Sequence, residues 1–580
     1  MAELVDALDS GFSGVTPVGV RVPPSAPLKT RFGKYLGNIN VVPFFKNPSS
    51  FMAAMHKPGW IHRLVNKHRL FIVGVFVFAV VAHLSYLVPG GPSPRYTWPL
   101  KLVIDEGTVL YDSFRITCGE VIYRDFFQFQ GPVFYYVHAG LFTITGPSVA
   151  AARALNLLIT GLGATLIALL VARSLGLVAG AMAAAVHICL LVPMWPYAYP
   201  HWLAEALALG GIYLLATSSG HARRELVGGA CIGLSAATIQ SLGLPILAAC
   251  MAALAMPGIV HRSWRETCVR PLRVLAGALL SVAPFILYLG MRGAFDQMWY
   301  AMFEWVFTHY PEGQKDAAMR GYGAFLESYI ITHARVVWPW RDLAVIGLRF
   351  INLLPLFAIC GGVIVTVQAI LDGWRRSLDY GYLVIGTAAI AGTASLLLGI
   401  TRVDVTHIAF VGSFGLCGAA IALRLLVTWK PRLRLSVVIA WVIIGVLMIA
   451  NFGAKTVMTY RSSRKMEGWR GEVLKLAMAR WIDANVGLKD SIVVAEMGGL
   501  QYLYIRRSAV GFTFIPGNAP KYFSEQQWRN LGRQILKALP PVIELTEAQW
   551  LQVTQRTPEL KQLYQRDNRL LLRGGFFPSK

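Results

Sequence analysis

Residues 103–132, VIDEGTVLYDSFRITCGEVIYRDFFQFQGP, hold Asp105, Glu106, Asp112, Glu120 and Asp125, with Tyr111 and Arg124 between them. A carboxylate takes a proton from an alcohol or amine nucleophile, and an arginine holds a phosphate by paired, charge-assisted bonds. Groups of the same types recur far along the chain at Arg153, His201, Glu205, Gln240, Arg402 and His407. Acids and bases gathered at one face would suit transfer of a group from a phosphorylated lipid. Polar residues packed this closely beside a hydrocarbon slab are expensive to place, which favours a site over an ordinary solvated loop.

The elements that must position these groups are membrane helices. Of 580 residues, 55% are hydrophobic and 14% charged, with a mean hydropathy of +0.52, outside the range of soluble domains. The long uncharged runs predict a polytopic α-helical membrane protein with about eleven spans. They fall near 69–89, 150–171, 175–193, 200–218, 227–241, 243–258, 273–291, 346–371, 380–399, 405–427 and 434–454, the fifth and sixth separated at IQSLGLP. The connections HARRE, HRSWRETCVR, DGWRRSLD and WKPRLR are basic, so the positive-inside rule puts them, with the N-terminus, in the cytoplasm. Residues 90–149, 193–201, 292–345 and 401–406 and the C-terminal tail are then outside. The net charge of +24 is assigned to this topology and to anionic lipid, not to nucleic acid.

Residues 1–68 form a cytoplasmic tail without a signal-peptide pattern, and from Phe51 aromatics alternate with Lys, Arg and His as on a helix lying on a membrane surface. The opening MAELVDALDSGFSGVTPVGVRVPPSAP resembles a translated transfer-RNA gene, which would make the true start later, or it is a disordered tail. The transmembrane domain covers 69–456. Residues 462–580 alternate helix-like and strand-like stretches (ARWIDANV, SIVVAE, YFSEQQWRNLGRQILKAL, PPVIEL, LLLRG) and predict a small extracytoplasmic α/β domain.

No pair of the seven cysteines has metal or disulfide spacing, and there is no P-loop, HExxH or DxD motif. Nothing therefore points to a nucleotide. A divalent metal stays open, since Asp105, Glu106 and Glu205 would either hold one or act without it. Other readings also stay open. Asp105 caps the helix begun by GTVLYDSF or does chemistry. Arg153 is an interfacial anchor or a substrate group. Arg402, Asp404 and His407 form an internal ion pair with a satisfied histidine or a ligand site. Trp195, Tyr197, Tyr199 and Trp202 are an interface belt or a sugar platform, and WYAMFEWVFTHYPEG is re-entrant or lies on the surface.

The run IDEGTVLYDSFRITCGEVIYRDFFQFQGPVFYY, with GPSVAAARALN after it, resembles the first outer loop of the dolichyl-phosphate-mannose protein mannosyltransferase-like glycosyltransferases, members of the GT-C class. GLSAATIQSLGLP, TRVDVTHIAF and LQYLYIRR are similar to later stretches of that family. The resemblance implies a helical bundle with an outer C-terminal domain, in the plasma or inner membrane. It implies a membrane glycosyltransferase that inverts as it moves a sugar from a polyprenyl-phosphate donor to an acceptor lipid, glycan or protein. Carried over, Asp105 is the base, assisted by Glu106. Arg153, Gln240, Arg402 and His407 face the donor phosphate, and Tyr111, Arg124, Asp125 and Glu205 line the substrate site. The alternatives are a glycan ligase that uses a pyrophosphate carrier and a lipid or glycan transporter, the latter predicting ionisable groups at the midplane and broken, repeated spans.

Overall fold

The computed structural model describes residues 60–87, 104–310, 340–373, 380–397, 405–462, 477–494, 508–513, 523–567 and 570–574. All belong to one compact unit, Met55–Lys580. Arg402, Asp404, the stretch LQYLYIRR and most of the N-terminal tail lie outside the described residues.

Helix α1 (Trp60–His83) is followed by two loop helices, α2 (Ile104–Thr117) and α3 (Val133–Thr145). The bundle continues through α4 (Val149–Leu175), α5 (Leu177–Val186), α6 (Pro200–Ala216), α7 (Ala222–Ala236), α8 (Gln240–Val260) and α9 (Trp264–Met291). It is completed by α10 (Trp340–Gly373), α11 (Tyr380–Leu397), α12 (Val405–Trp429) and α13 (Arg434–Ser462). Every apolar stretch picked out in the sequence falls on one of these helices. Among the described residues, 8 helices are long and apolar enough to cross a membrane. Helices α6 and α7, of 17 and 15 residues, fall short of a bilayer's hydrocarbon thickness at 1.5 Å per residue.

Small residues let the bundle close. Helices α10 and α12 approach so tightly at Gly361 and Gly418 that a Cβ on Gly418 would lie 2.4 Å from the Phe357 carbonyl oxygen. Dispersion contacts between close backbones are the main source of cohesion where lipid is as apolar as the helix.

The two ends of the bundle differ. At one end the basic connections HARRE and HRSWRETCVR meet: Glu225 is buried and paired with Arg270 at 2.6 Å and Arg273 at 3.1 Å. At the other end α2, α3, the 193–201 link and residues 292–302 come together, as their mutual hydrogen bonds show.

The C-terminal residues build a small α/β domain. Its sheet has the order β2 (Ser508–Ala509), β1 (Ser491–Val494), β3 (Val542–Glu544), β5 (Leu570–Arg573), β4 (Tyr564–Asp567). The β2–β1 and β1–β3 pairs are parallel, and β3–β5 and β4–β5 antiparallel. Helices α14 (Ala477–Asn485), α15 (Glu525–Ala538) and α16 (Glu547–Arg556) cover it. Capping boxes at Ser524/Gln527 and Thr546/Gln549 fix where α15 and α16 begin. Ala479, Ile482, Ile492, Val494 and Val542 pack directly on Leu110 and Tyr111 of α2 and on Val149 and Ala152 of α4, so the domain sits on the loop end of the bundle.

Gly418→Val, which drives a branched side chain into the α10 backbone, is expected to cost about 1–3 kcal/mol. A lowered thermal midpoint of the purified protein in lipid is the measurement, and an unchanged midpoint would contradict the close approach.

A candidate active site at the loop end of the bundle

Successive helical residues are about 100° apart, so the adjacent acids that open α2 cannot face the same way. Asp105 is exposed. Glu106 is 0% exposed and Arg153 1%, and they form a bidentate pair, Arg153 Nε to Oε1 at 2.9 Å and Nη2 to Oε2 at 2.5 Å. Ser148 caps α4 and places Arg153 in its second turn. The third arm of the guanidinium, Nη1, donates to the Tyr86 carbonyl just beyond α1 at 3.1 Å. The Ala198 amide donates to Glu106 Oε1 at 3.0 Å, and the guanidinium lies 5.2 Å from the centre of the Tyr197 ring. Four parts of the chain thus meet on one buried ion pair.

The rest of α2 is held by the C-terminal domain. Tyr111 is buried, and its hydroxyl accepts from the Ala509 amide at 2.9 Å. Asp112 accepts from Gln128 Nε2 at 2.9 Å and from the Thr513 hydroxyl. Arg115 pairs with Glu120 at 2.6 Å and donates to the Gly511 carbonyl at 2.7 Å. Burial pushes the Asp112 carboxyl up to about 6, against the pull of Arg115 and of the Thr513 and Gln128 hydrogen bonds.

Residues 118–132 fold back over these helices. The Tyr123 hydroxyl donates to the Gln130 carbonyl at 2.7 Å. Arg124 pairs with its neighbour Asp125 and donates to the Arg292 carbonyl at 3.0 Å, while Asp125 accepts from the Val121 amide at 2.7 Å. Gly131 lies so close to the α7–α8 turn that a Cβ would be 2.1 Å from the Ala237 carbonyl oxygen. Gln240, at the start of α8, donates both amide hydrogens, to the carbonyls of Phe129 at 3.0 Å and Met302 at 2.9 Å. It thereby ties the first loop to residues 295–310, whose Trp305 packs on Phe127 and Phe129.

His407, in the first turn of α12, is half-buried, with its ring centre 5.9 Å from that of His201 and 6.0 Å from that of Phe410. Glu205 lies one turn beyond His201 along α6, at 1% exposure, against His187 and Ser413. Among the described residues, no three His, Cys, Asp or Glu side chains come together in a way that could hold a metal ion.

The structure therefore brings Glu106 and Arg153 together on each other, places Asp105 at the surface beside them, and uses Tyr111, Arg124, Asp125 and Gln240 in hydrogen bonds that fix the loop. Sequence reasoning did not find Arg115, Gln128, His187, Ser413 or Thr513. Their partners are up to about 400 positions away (Asp112 and Thr513 are 401 apart), and no local pattern links them.

The fold is matched by ArnT from Cupriavidus metallidurans bound to undecaprenyl phosphate, at 12% identity over 88% of this chain and 99% of that one, with a TM-score of 0.50. The oligosaccharyltransferase of Archaeoglobus fulgidus, in complex with zinc and sulfate, aligns over 84% of this chain and 71% of its own at 13% identity and a TM-score of 0.45. No protein-family model and no curated protein matches the sequence. The fold is that of a polytopic α-helical membrane protein with a small C-terminal sheet.

Arg153→Met leaves Glu106 as an uncompensated buried charge and is expected to destabilise by about 3–5 kcal/mol, measured as a fall in thermal midpoint. A pH dependence follows from Asp112. Because the folded protein binds this proton more tightly than the unfolded chain, the contribution to stability is complete below about pH 4 and is lost as pH rises through about 6. The full difference is at most about 3 kcal/mol. Relative to Asp112→Asn, the wild type should lose midpoint between about pH 4 and 7 and then level off; a gain over that window would contradict the burial of Asp112.

Proposed function

We propose that the chain is a glycosyltransferase that moves a sugar, with inversion, from a polyprenyl-phosphate carrier to an acceptor lipid, glycan or protein at the outer face of the cell membrane. The observation that carries this reading is the exposed Asp105 beside a fixed, buried Glu106–Arg153 pair, at the end of a GT-C bundle where the loops and the C-terminal domain meet. Two further points support it: the first loop's resemblance to the protein mannosyltransferase-like family, and the likeness of the fold to a structure bound to undecaprenyl phosphate. The positive-inside rule turns the Glu225–Arg270–Arg273 end to the cytoplasm and the Asp105 end outward.

In this reading the Asp105 carboxylate takes the proton of the acceptor's hydroxyl or amine. The freed lone pair attacks the anomeric carbon from the face opposite the phosphate, and the bond from that carbon to the phosphate oxygen breaks. Polyprenyl phosphate leaves with the bonding pair, and Asp105 returns its proton to water. Glu106 serves by holding Arg153 and through it the first turn of α2, so the base is in place before substrate arrives. Since Gln240 spends both amide hydrogens on backbone carbonyls, the leaving phosphate falls to His407 in the first turn of α12 and to Arg402 of the preceding sequence.

Purified protein in lipid, given a panel of polyprenyl-phosphate sugars and a mixed acceptor extract, is expected to release free polyprenyl phosphate. Asp105→Asn should lower that release by about 10²–10⁴ while folding normally. Equal release by both proteins would remove Asp105 from the chemistry, and release from pyrophosphate-linked donors alone would replace the donor class.

A further inference from the structure

Helix α5 does not stop at Val186. It runs on through a π turn, His187–Leu191, and a 3-10 turn, Val192–Met194. A π turn in a helix inserts an extra residue, disturbs the carbonyl pairing and is frequent where side chains have a task. Here the disturbance is held from outside, because His83 of α1 bonds the Ile188 carbonyl through Nε2 at 2.8 Å.

The same turn aims His187 inward. Its Nδ1 is 2.9 Å from the Ser413 hydroxyl of α12 and 4.0 Å from Glu205 Oε1 of α6. Ser413 lies against the Glu205 carboxyl. All three side chains are buried, and Glu205 Oε1 has no hydrogen-bond partner. No Lys or Arg among the described residues pairs with Glu205. The titratable groups packed around it are His187, Cys417 one turn along α12, and His83 behind His187. An ionised carboxylate in such a place carries a desolvation cost of several kcal/mol with nothing to offset it. A protonated acid, by contrast, is both donor and acceptor and matches Ser413 and His187.

We propose that Glu205 is a positioning residue: in its neutral form it joins Ser413 and His187 in a three-helix clasp that fixes α12 against α6 and the bulged end of α5. The clasp sits one turn inside the loop end, and side chains three or four positions away on the same helix faces meet there. His201 lies four residues before Glu205, and Phe410 three before Ser413. The His201 and Phe410 rings stack at 4.3 Å, and Trp202 meets Phe410 at 5.0 Å. The clasp therefore sets where His407 stands. Its effect on turnover rests on the function proposed above, while the clasp itself does not.

The test compares Glu205→Gln, Glu205→Ala, Ser413→Ala and the double alanine variant, as full-length protein in lipid nanodiscs, by thermal midpoint and by the donor dependence of polyprenyl-phosphate release. A carboxamide keeps one donor and one acceptor without a charge, so Glu205→Gln should match the wild type in midpoint and stay within about twofold in kcat and KM. Each alanine variant should lower the midpoint and raise the KM for donor more than it lowers kcat. The double variant should be no less stable than the worse single one, since both remove the same interaction. A stable but inactive Glu205→Gln would overturn the proposal, because the carboxylate would then act through its charge. Additive losses in the double variant, or a Glu205→Ala protein as stable as the wild type, would also overturn it. Should the wild type release nothing, the proposed function fails, and the midpoints alone still decide the clasp.

Discussion

The Glu106–Arg153 pair is the contact on which the loop end depends. Two charges at 0% and 1% exposure survive only if each finds all its partners, since desolvating either alone costs more than one bond returns. The partners come from different places: the Tyr86 carbonyl beyond α1, the Ala198 amide in the link to α6, and the two side chains on α2 and α4. All four segments must arrive together for the pair to close. A buried pair adds little net stability over a well-packed apolar replacement. What it does here is favour one register of α2, because a rotation by one residue would turn the shorter Asp105 toward Arg153 in place of Glu106.

The other end of α2 is fixed by different means and by a different part of the chain. Tyr111, Asp112 and Arg115 share the face toward the C-terminal domain and meet Ala509, Thr513 and Gly511. A helix of 14 residues is marginal alone in water, so its order comes from these contacts. The small sheet thus acts on the site without reaching it, through the helix it pins. Preorganisation of this kind places a reactive group before its substrate arrives, and a displacement of about 1 Å at such a group is felt strongly in rate.

The bundle was legible in the sequence because a membrane helix needs only a long apolar run, a property that tertiary packing does not alter. The bounds of α7 were less so: the apolar run is 227–241, whereas the helix spans Ala222–Ala236 and takes in the charged ARRE at its start. The site was legible as a region but not as a set of roles. Asp105 and Glu106 are chemically alike and adjacent, and only the direction of the core tells them apart. Gln240 was expected at a phosphate, but its carboxamide equally suits two carbonyls, and Phe129 and Met302 supply them. Arg124 and Asp125 satisfy each other, as neighbouring opposite charges in a turn often do. Glu205 was expected to line the substrate site; the helix begins at Pro200, and that phase carries the acid inward onto α5 and α12.

The bundle holds position with charges at both ends by one device. At the basic end Glu225 gathers Arg270 and Arg273 between α7 and α9; at the loop end Glu106 gathers Arg153 between α2 and α4. In each case a buried carboxylate anchors guanidinium groups, whose forked geometry fixes direction as well as distance. Two such anchors, one near each end, constrain how the helices are inclined more tightly than apolar packing can, because apolar contacts tolerate sliding and a fork does not. Asp105 is carried at the head of α2, the helix whose first turn the Glu106–Arg153 pair holds.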